Sequence, residues 1–337
     1  MTKPTVLVTG GAGYIGSHAV LALTDAGWPV VVLDNLTTGF DWAVPPGVPL
    51  VVGEVGERAG LDRVIAEHGV GAVMHFAGSI IVPESVADPL KYYANNTAAS
   101  RTLIEACVAN GVHHMVFSST AATYGTPPHS PVAEGDATVP INPYGRSKLM
   151  TEWMLADTAA AHDFNFCALR YFNVAGADPR GRSGQSTAGA THLIKVAVEA
   201  ALGQRDGVAV YGTDFATPDG TGVRDYIHVS DLAVAHVLAL DALMAEPGES
   251  HVLNCGYGHG ASVLEVLDAV DRVAGVTLER RLEPRRAGDP AELVAANGAI
   301  RARFGWEPRH DDLDGIVRDA LSWERALVAR RSNGGPS

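Results

Sequence analysis

The sequence predicts an open, doubly wound α/β sheet carrying a smaller mixed α/β lobe, and three observations support this. Short β-branched runs alternate with helical patterns through the first half of the chain. A glycine-rich stretch, "TGGAGYIG", joins the first run to the first helical segment. Beyond about residue 175 the alternation loosens into "GADPRGRSGQSTAGA" and "GTDFATPDGTGVRDY", Gly/Pro-rich stretches set between helices.

The predicted strands are "TVLVTG", "PVVVLD", "PLVVGEV", "AVMHFAG", "HMVFSST" and "FCALRYFNV", with segments such as "SHAVLALTDAG" and "NTAASRTLIEACVANG" between them. Strand, helix, strand in repetition implies a parallel sheet with helices on both faces. The apolar spacing of "TLIEACVA" fits a helix packed on that sheet. "SVLEVLDAVDRVAG" opens on Ser262 with Glu265 three residues on, a capping box, and stops at Gly275. "SDLAVAHVLALDAL" has a broad apolar face and is expected to return to the first lobe. The expected division is a nucleotide-binding domain over 1–175, completed by about 226–250, a substrate lobe over 176–225 and 251–330, and a flexible tail over 331–337.

A chain of 337 residues is long enough for two lobes with a site between them. Its 47% hydrophobic and 19% charged residues are those of a globular protein. The net charge of −13 argues against a nucleic-acid surface, so a polyanionic substrate would need arginines placed locally. The three cysteines, Cys107, Cys167 and Cys255, stand far apart and read as reduced core residues, neither a disulfide framework nor a metal site. The histidines, His113 and His114 included, lack ligand spacing with acids, so no metal is expected. No apolar run approaches a membrane span, and the start of the chain lacks a signal-peptide pattern, so a cytoplasmic protein without membrane contact is expected.

In the glycine turn Gly10, Gly13 and Gly16 recur every three residues. A tight turn, close approach of a pyrophosphate and helix-on-strand packing each need a residue without Cβ, and the helix start offers free N–H groups to phosphate. Asp34 ends the second strand, where a carboxylate accepts hydrogen bonds from a ribose 2′-OH and repels a 2′-phosphate, favouring NAD over NADP. Farther on, "SSTAATYG" (118–125) precedes "NPYGRSK" (142–148). Asn142 caps a helix, Pro143 suits its first position, and the spacing puts Tyr144 and Lys148 on one face. Helix end and ammonium are both expected to lower the phenol pKa from its usual value of about 10, making Tyr144 a base near neutral pH.

These features, with "VLVTGGAGYIGSH", "LDNL", "HFAG", "ESVADPLKYYANNT", "YGRSKLMTE", "LRYFNVAGADP", "DGTGVRDYIHVSDLA" and "PRRAGDP", resemble the extended short-chain dehydrogenase/reductase family with its Rossmann-type sheet. Within it the chain is similar to the group that epimerises UDP-glucose at C4, over nearly its whole length. The resemblance implies interconversion of UDP-galactose and UDP-glucose through a transient 4-keto sugar on tightly held NAD. It gives Tyr144, Lys148 and Thr120 catalytic roles, Thr120 bonding both the sugar 4-oxygen and the tyrosine. Related dehydratases and decarboxylases carry an acid in the segment matching 118–125; this chain has none there, and Ser119 and Ala121 are expected only to pack.

By the same resemblance Gly10, Gly13, Tyr14, Ile15, Gly16, Asp34, Asn35, Glu54, Val55, Phe76, Ala77, Gly78, Asn95, Ser118, Tyr144, Lys148 and Phe172 match cofactor contacts. Thr120, Asn173, His192 and Leu193 match contacts to sugar or diphosphate, and Tyr211 the aromatic stacked on uracil. Arg224 and Arg286 match a diphosphate clamp, which guanidinium geometry suits, and Asp289 a uridine-ribose contact. Four positions depart from the family pattern. Glu54 stands for a common Asp near adenine, Ile80 for a common Lys, and His192 for a common Asn. Leu293 stands where a bulky Tyr or a small residue decides whether an N-acetyl group fits. Epimerisation of another UDP-sugar (N-acetylhexosamine, uronic acid or pentose), net dehydrogenation with exchangeable cofactor, and a non-catalytic NAD sensor are the alternatives. The helices over "DPLKYYANNTAASRTLIEACVANG" and "PYGRSKLMTEWMLADTAAAH" resemble the family's dimer-forming pair, implying a homodimer.

Overall fold

A computed structural model describes residues 3–286 and 288–332. Its strands are β1 (Thr5–Thr9), β2 (Val30–Asp34), β3 (Leu50–Val52), β4 (Val70–His75), β5 (His114–Ser118), β6 (Asn165–Tyr171), β7 (Asn173–Ala175), β8 (Val208–Tyr211), β9 (Val223–Arg224), β10 (Tyr226–His228), β11 (His251–Cys255), β12 (Ala261–Ser262), β13 (Arg280–Glu283) and β14 (Glu292–Leu293). The helices are α1 (Tyr14–Asp25), α2 (Arg58–His68), α3 (Val82–Ala87), α4 (Pro89–Tyr92), α5 (Ala99–Ala109), α6 (Pro143–Ala161), α7 (Leu193–Ala201), α8 (Val229–Ala245), α9 (Val263–Ala274), α10 (Gly298–Phe304) and α11 (Leu313–Ser332).

Seven strands form one sheet in the order β3-β2-β1-β4-β5-β6-β11, every pair parallel. The order reverses between β1 and β4, opening a crevice at the carboxyl ends of the strands, where such sheets bind ligands. Alternation along β1 explains the two faces. Val6 and Val8 pack with Ala19 and Leu23 of α1 and Leu232 and Leu240 of α8. Leu7 packs with Leu61 of α2, Leu103 of α5 and Leu155 of α6 on the other side. The first core continues into Ile194 of α7, Val266 of α9 and Ile316 of α11. Small two- and three-stranded sheets, β7-β10, β12-β9-β14 and β8-β13, complete the second part.

The helix signals hold: Ser262 and Glu265 cap α9 reciprocally, and Gly275 ends it with φ +71°. Three features differ from expectation. β11 was placed in the substrate lobe, yet it pairs with β6 as the seventh strand, so the return to the main sheet runs to Cys255. Arg331 and Ser332, placed in a tail, close α11, while residues 333–337 lie outside the described residues. The long helix over 89–109 is interrupted by a π-helical stretch at Tyr93–Ala98.

Candidate active site

The glycine turn divides its labour as the side-chain geometry demands. Gly10 has φ +70°, and a Cβ there would sit 2.6 Å from the Ala77 nitrogen. At Gly16 a Cβ would sit 2.1 Å from the Gly10 carbonyl oxygen, so only glycine lets α1 pack this close to the turn. Gly13 meets nothing nearer than that same oxygen, at 3.3 Å; its bare backbone caps α1 without a side-chain bond. The first N–H groups of α1 are thus left to an outside acceptor, and the concavity fits a pyrophosphate. The Tyr14 hydroxyl donates to the Gly176 carbonyl (2.7 Å), which turns its side chain into the protein, and Ile15 packs on the core.

Asp34 lies buried at the end of β2 and accepts from Ala12 N (3.0 Å) and Leu36 N (2.8 Å), which fixes both flanks of the turn. Leu36 pays for this with a left-handed φ of +58°. Asn35 donates to both carboxylate oxygens of Glu54 (3.2 Å each), so the longer acid reaches the loop, and Val55 is buried beneath. Two acids at this edge suit a ribose diol and repel a 2′-phosphate.

Phe76, Ala77 and Gly78 follow β4 directly, Phe76 N and Ala77 N both donating to the Thr9 carbonyl (2.9 and 3.1 Å). A Cβ at Gly78 would fall 3.0 Å from Asn96 Oδ1 and 3.7 Å from Lys148 Nζ. Buried Asn96 accepts from Ser79 N (2.7 Å) and donates to Ser79 O (2.9 Å) and Ser147 Oγ (3.0 Å). Asn95, by contrast, is exposed and donates to Ser79 Oγ (2.9 Å). Asn96 and its neighbour His75 had no sequence signal. His75 bridges Thr9 Oγ1 (2.6 Å) and Ser100 Oγ (2.8 Å), and Ser100 in turn donates to the Asn96 carbonyl. Burial, reinforced by the Lys148 charge, pushes the His75 pKa down to about 3, so the ring is a neutral strut.

Tyr144 of α6 is hydrogen-bonded to Thr120, and Lys148, one turn on, reaches Ser118 of the same segment. Asn142 Oδ1 accepts from Gly145 N (2.8 Å), capping α6 so that Tyr144 lies in its first turn. Lys148 is buried and donates to the Ser118 carbonyl (2.8 Å), its ammonium 4.8 Å from the centre of the Phe117 ring. Ser118 Oγ bonds the Tyr171 hydroxyl. Burial lowers the Lys148 pKa to about 8, against an opposing pull from Glu152. The Tyr144 phenol departs from expectation: burial raises its pKa, and only the hydrogen bond with Thr120 works the other way. The reason is geometric, since Lys148 spends its shortest bond on Ser118 while the phenol sits among desolvating neighbours.

Ser119 also departs from expectation: its hydroxyl donates to buried Glu152 of α6. Glu152 takes a two-point bond from Arg170 of β6 (Nε–Oε1 3.0 Å, Nη2–Oε2 2.5 Å). The helical spacing of Glu152 from Lys148 is the one signal that could have found it.

On the substrate side, Asn173, His192 and Leu193 line one cavity with Gln185, whose amide bonds His192 Nδ1 (2.8 Å). Leu293 of β14 is in register with Arg224 of β9 and packs with Tyr124 and Phe172. Arg224 is partly buried, its guanidinium 4.0 Å from Asp289, which also accepts from Arg286 Nε (3.0 Å). The Arg286 guanidinium lies 4.6 Å over the Tyr211 ring. Arg224, Arg286, Tyr211 and Asp289 therefore converge, as a site for an aromatic base and a diphosphate requires. Ile80 stands 52% exposed near the crevice and supplies no charge. Away from the site, His228, His310 and Asp319 bring ligand-type atoms within 4.8 Å of one another. His228 Nδ1 accepts from Ser230 N (3.0 Å), so its Nε2 carries the proton toward Asp319 (3.2 Å). That is a histidine–carboxylate hydrogen bond, not a vacant ligand. No helix among the described residues is long and apolar enough to cross a membrane.

Residues 6–256 match the profile of the NAD dependent epimerase/dehydratase family. The chain is 60% identical over 325 residues to a UDP-glucose 4-epimerase of Azospirillum brasilense, covering 96% of this chain and 93% of that one. Among solved structures, UDP-glucose 4-epimerase from Brucella ovis in complex with NAD superposes with a TM-score of 0.92 at 44% identity, covering 95% of this chain and 98% of the other. The enzyme from Stenotrophomonas maltophila, with bound NAD and formylated UDP-arabinopyranose, gives a TM-score of 0.94 at 40% identity over 97% and 99%. The chain belongs to the NAD dependent epimerase/dehydratase family.

Proposed function

We propose that the chain is a UDP-glucose 4-epimerase, interconverting UDP-galactose and UDP-glucose through a 4-keto sugar. The observation that carries this reading is the bonding of Tyr144 to Thr120 and of Lys148 to Ser118, both in one short segment, 118–125, that has no carboxylate. Hydroxyl, phenol and ammonium can move one proton at O4, whereas eliminating water or CO2 needs a further acid or base.

Gly10, Gly13, Gly16 and the backbone of Tyr14 and Ile15 hold the NAD pyrophosphate. Asp34, Asn35, Glu54 and Val55 hold its adenosine, and Phe76, Ala77, Gly78, Asn95, Ser118, Lys148 and Phe172 its nicotinamide half. Bound NAD supplies the acceptor and donor of hydride at C4. Tyr144, relayed by Thr120, takes the proton from the 4-OH and returns it to the other epimer, and Lys148 steadies the phenolate. Arg224 and Arg286 clamp the diphosphate, Asp289 and Tyr211 hold the uridine, and Asn173, His192, Leu193 and Leu293 border the sugar. Residues 1–175 with the return through α8 and β11 form the NAD-binding part, and the remainder of the described chain the UDP-sugar lobe. Three buried free cysteines support a reducing, cytoplasmic setting.

A homodimer is supported by exposed apolar side chains on three mutually packed helices: Val86 of α3, Leu90 of α4, and Met150 and Trp153 of α6. The test of function is purified protein with UDP-galactose and no added nucleotide. UDP-glucose should form, NAD should be released on denaturation, and Tyr144→Phe should lose about 10²–10⁴-fold in kcat. Bound NAD without conversion would instead favour another UDP-sugar.

A further inference from the structure

Behind the reacting residues lies a second polar assembly that none of the roles above uses. Glu152 and Arg170 are 4% and 6% exposed and joined by two bonds. Ser119, adjacent to Thr120, donates to the same carboxylate. The Arg170 guanidinium lies 4.8 Å over the Tyr124 ring, and Tyr124 closes the far end of the hydroxyl segment by donating to Asn254 Oδ1 (2.7 Å). The network therefore grips 118–125 on both sides of Thr120. Glu152 also stands one helical turn beyond Lys148, as Tyr144 stands one turn before it.

Burying two charges is unfavourable unless each is paired, and such pairs often contribute little net stability. Arg170 commits two nitrogens to Glu152 and lies against the Tyr124 ring, so the pair ties α6 to the hydroxyl segment. The titratable groups coupled to the Lys148 ammonium are Glu152, one turn along its own helix, and neutral His75 from β4. Among these, Glu152 supplies the charge that opposes deprotonation of the buried lysine.

We propose that Glu152, balanced by Arg170, is a positioning residue of the reaction: through Ser119 it aims Thr120 at Tyr144, and from one helical turn away it sets the charge balance around Lys148. The inference rests on the epimerase reading. The test is kcat and KM for UDP-galactose against pH, on purified holoenzyme. Glu152→Gln should move the basic limb of kcat down by about one pH unit, leaving KM within about twofold. Arg170→Met leaves the carboxylate unbalanced and should move the limb up. Ser119→Ala keeps both charges and should lower kcat about tenfold without moving the limb.

A merely structural pair would lower activity equally at all pH. Limbs coincident with wild type, or displaced the same way in both charge variants, overturn the proposal. If the charge variants do not fold, Ser119→Ala decides: kcat equal to wild type overturns it. An inactive wild type would instead defeat the epimerase reading.

Discussion

At the scale of single residues, the proposed chemistry rests on how Thr120 and Tyr144 share a proton. Burial makes the phenol a weaker acid than usual, and the Thr120 hydroxyl is the neighbour that offsets this. Thr120→Val should therefore lower kcat about 10²-fold with little change in KM, while Thr120→Ser restores most of it, measured by steady-state kinetics. The serine control matters because Thr120 Oγ1 also accepts from Ala122 N (3.2 Å). Tyr144 and Lys148 were legible because a helix fixes what four residues of spacing mean. Asn96, His75 and Arg170 were not, because each acts on groups delivered by other strands and helices, and no local pattern marks a buried strut. The direction of the phenol shift is not legible in the sequence for the same reason: it depends on what surrounds the ring, not on what precedes it in the chain.

At the scale of elements, helix ends were the most readable feature, since Asn142 with Pro143 and Ser262 with Glu265 satisfy backbone groups from within a few residues. The π-helical stretch was unreadable. Its sequence suits a regular helix, but Asn96 is tied at once to Ser79 and Ser147, while its carbonyl takes the Ser100 hydroxyl. The bonds to Ser79 and Ser147 are tertiary and offset the wider turn, as π-bulges at functional sites commonly show. Helix α6 carries the proposed catalytic pair Tyr144 and Lys148 and, toward solvent, Met150 and Trp153, the latter 57% exposed. Trp153→Glu should shift the sedimentation profile from dimer to monomer, with Tm lowered. An unchanged profile would place the dimer contact elsewhere or remove it.

At the scale of the whole molecule, the alternation of elements foretold the parallel sheet, but not that β11 would return to its edge. That pairing joins residues some 80 positions apart, His251 with Cys167 and Cys255 with Tyr171, and no local signal encodes it. The fold also buries three histidines as neutral rings. Burial lowers His18 and His236 to about 4 and His75 to about 3. Between about pH 6.5 and 4 the unfolded chain takes up protons at these positions that the folded chain refuses. Stability must then fall as pH falls through that window, by up to roughly 4 kcal/mol per pH unit when all three contribute. Denaturant unfolding at pH 7.5, 6.5 and 5.5 should show the decline beginning already near pH 6.5, and a flat profile down to pH 5 would contradict the burial of these rings.

The central claim is a redox-neutral inversion at C4, worked by Tyr144, Thr120 and Lys148 without a second acid. It is tested most directly with UDP-galactose carrying deuterium at C4, no nucleotide added, and the product isolated. The account predicts UDP-glucose that still carries the label at C4. Product whose label has washed into solvent, or whose formation depends on added nucleotide, would contradict it.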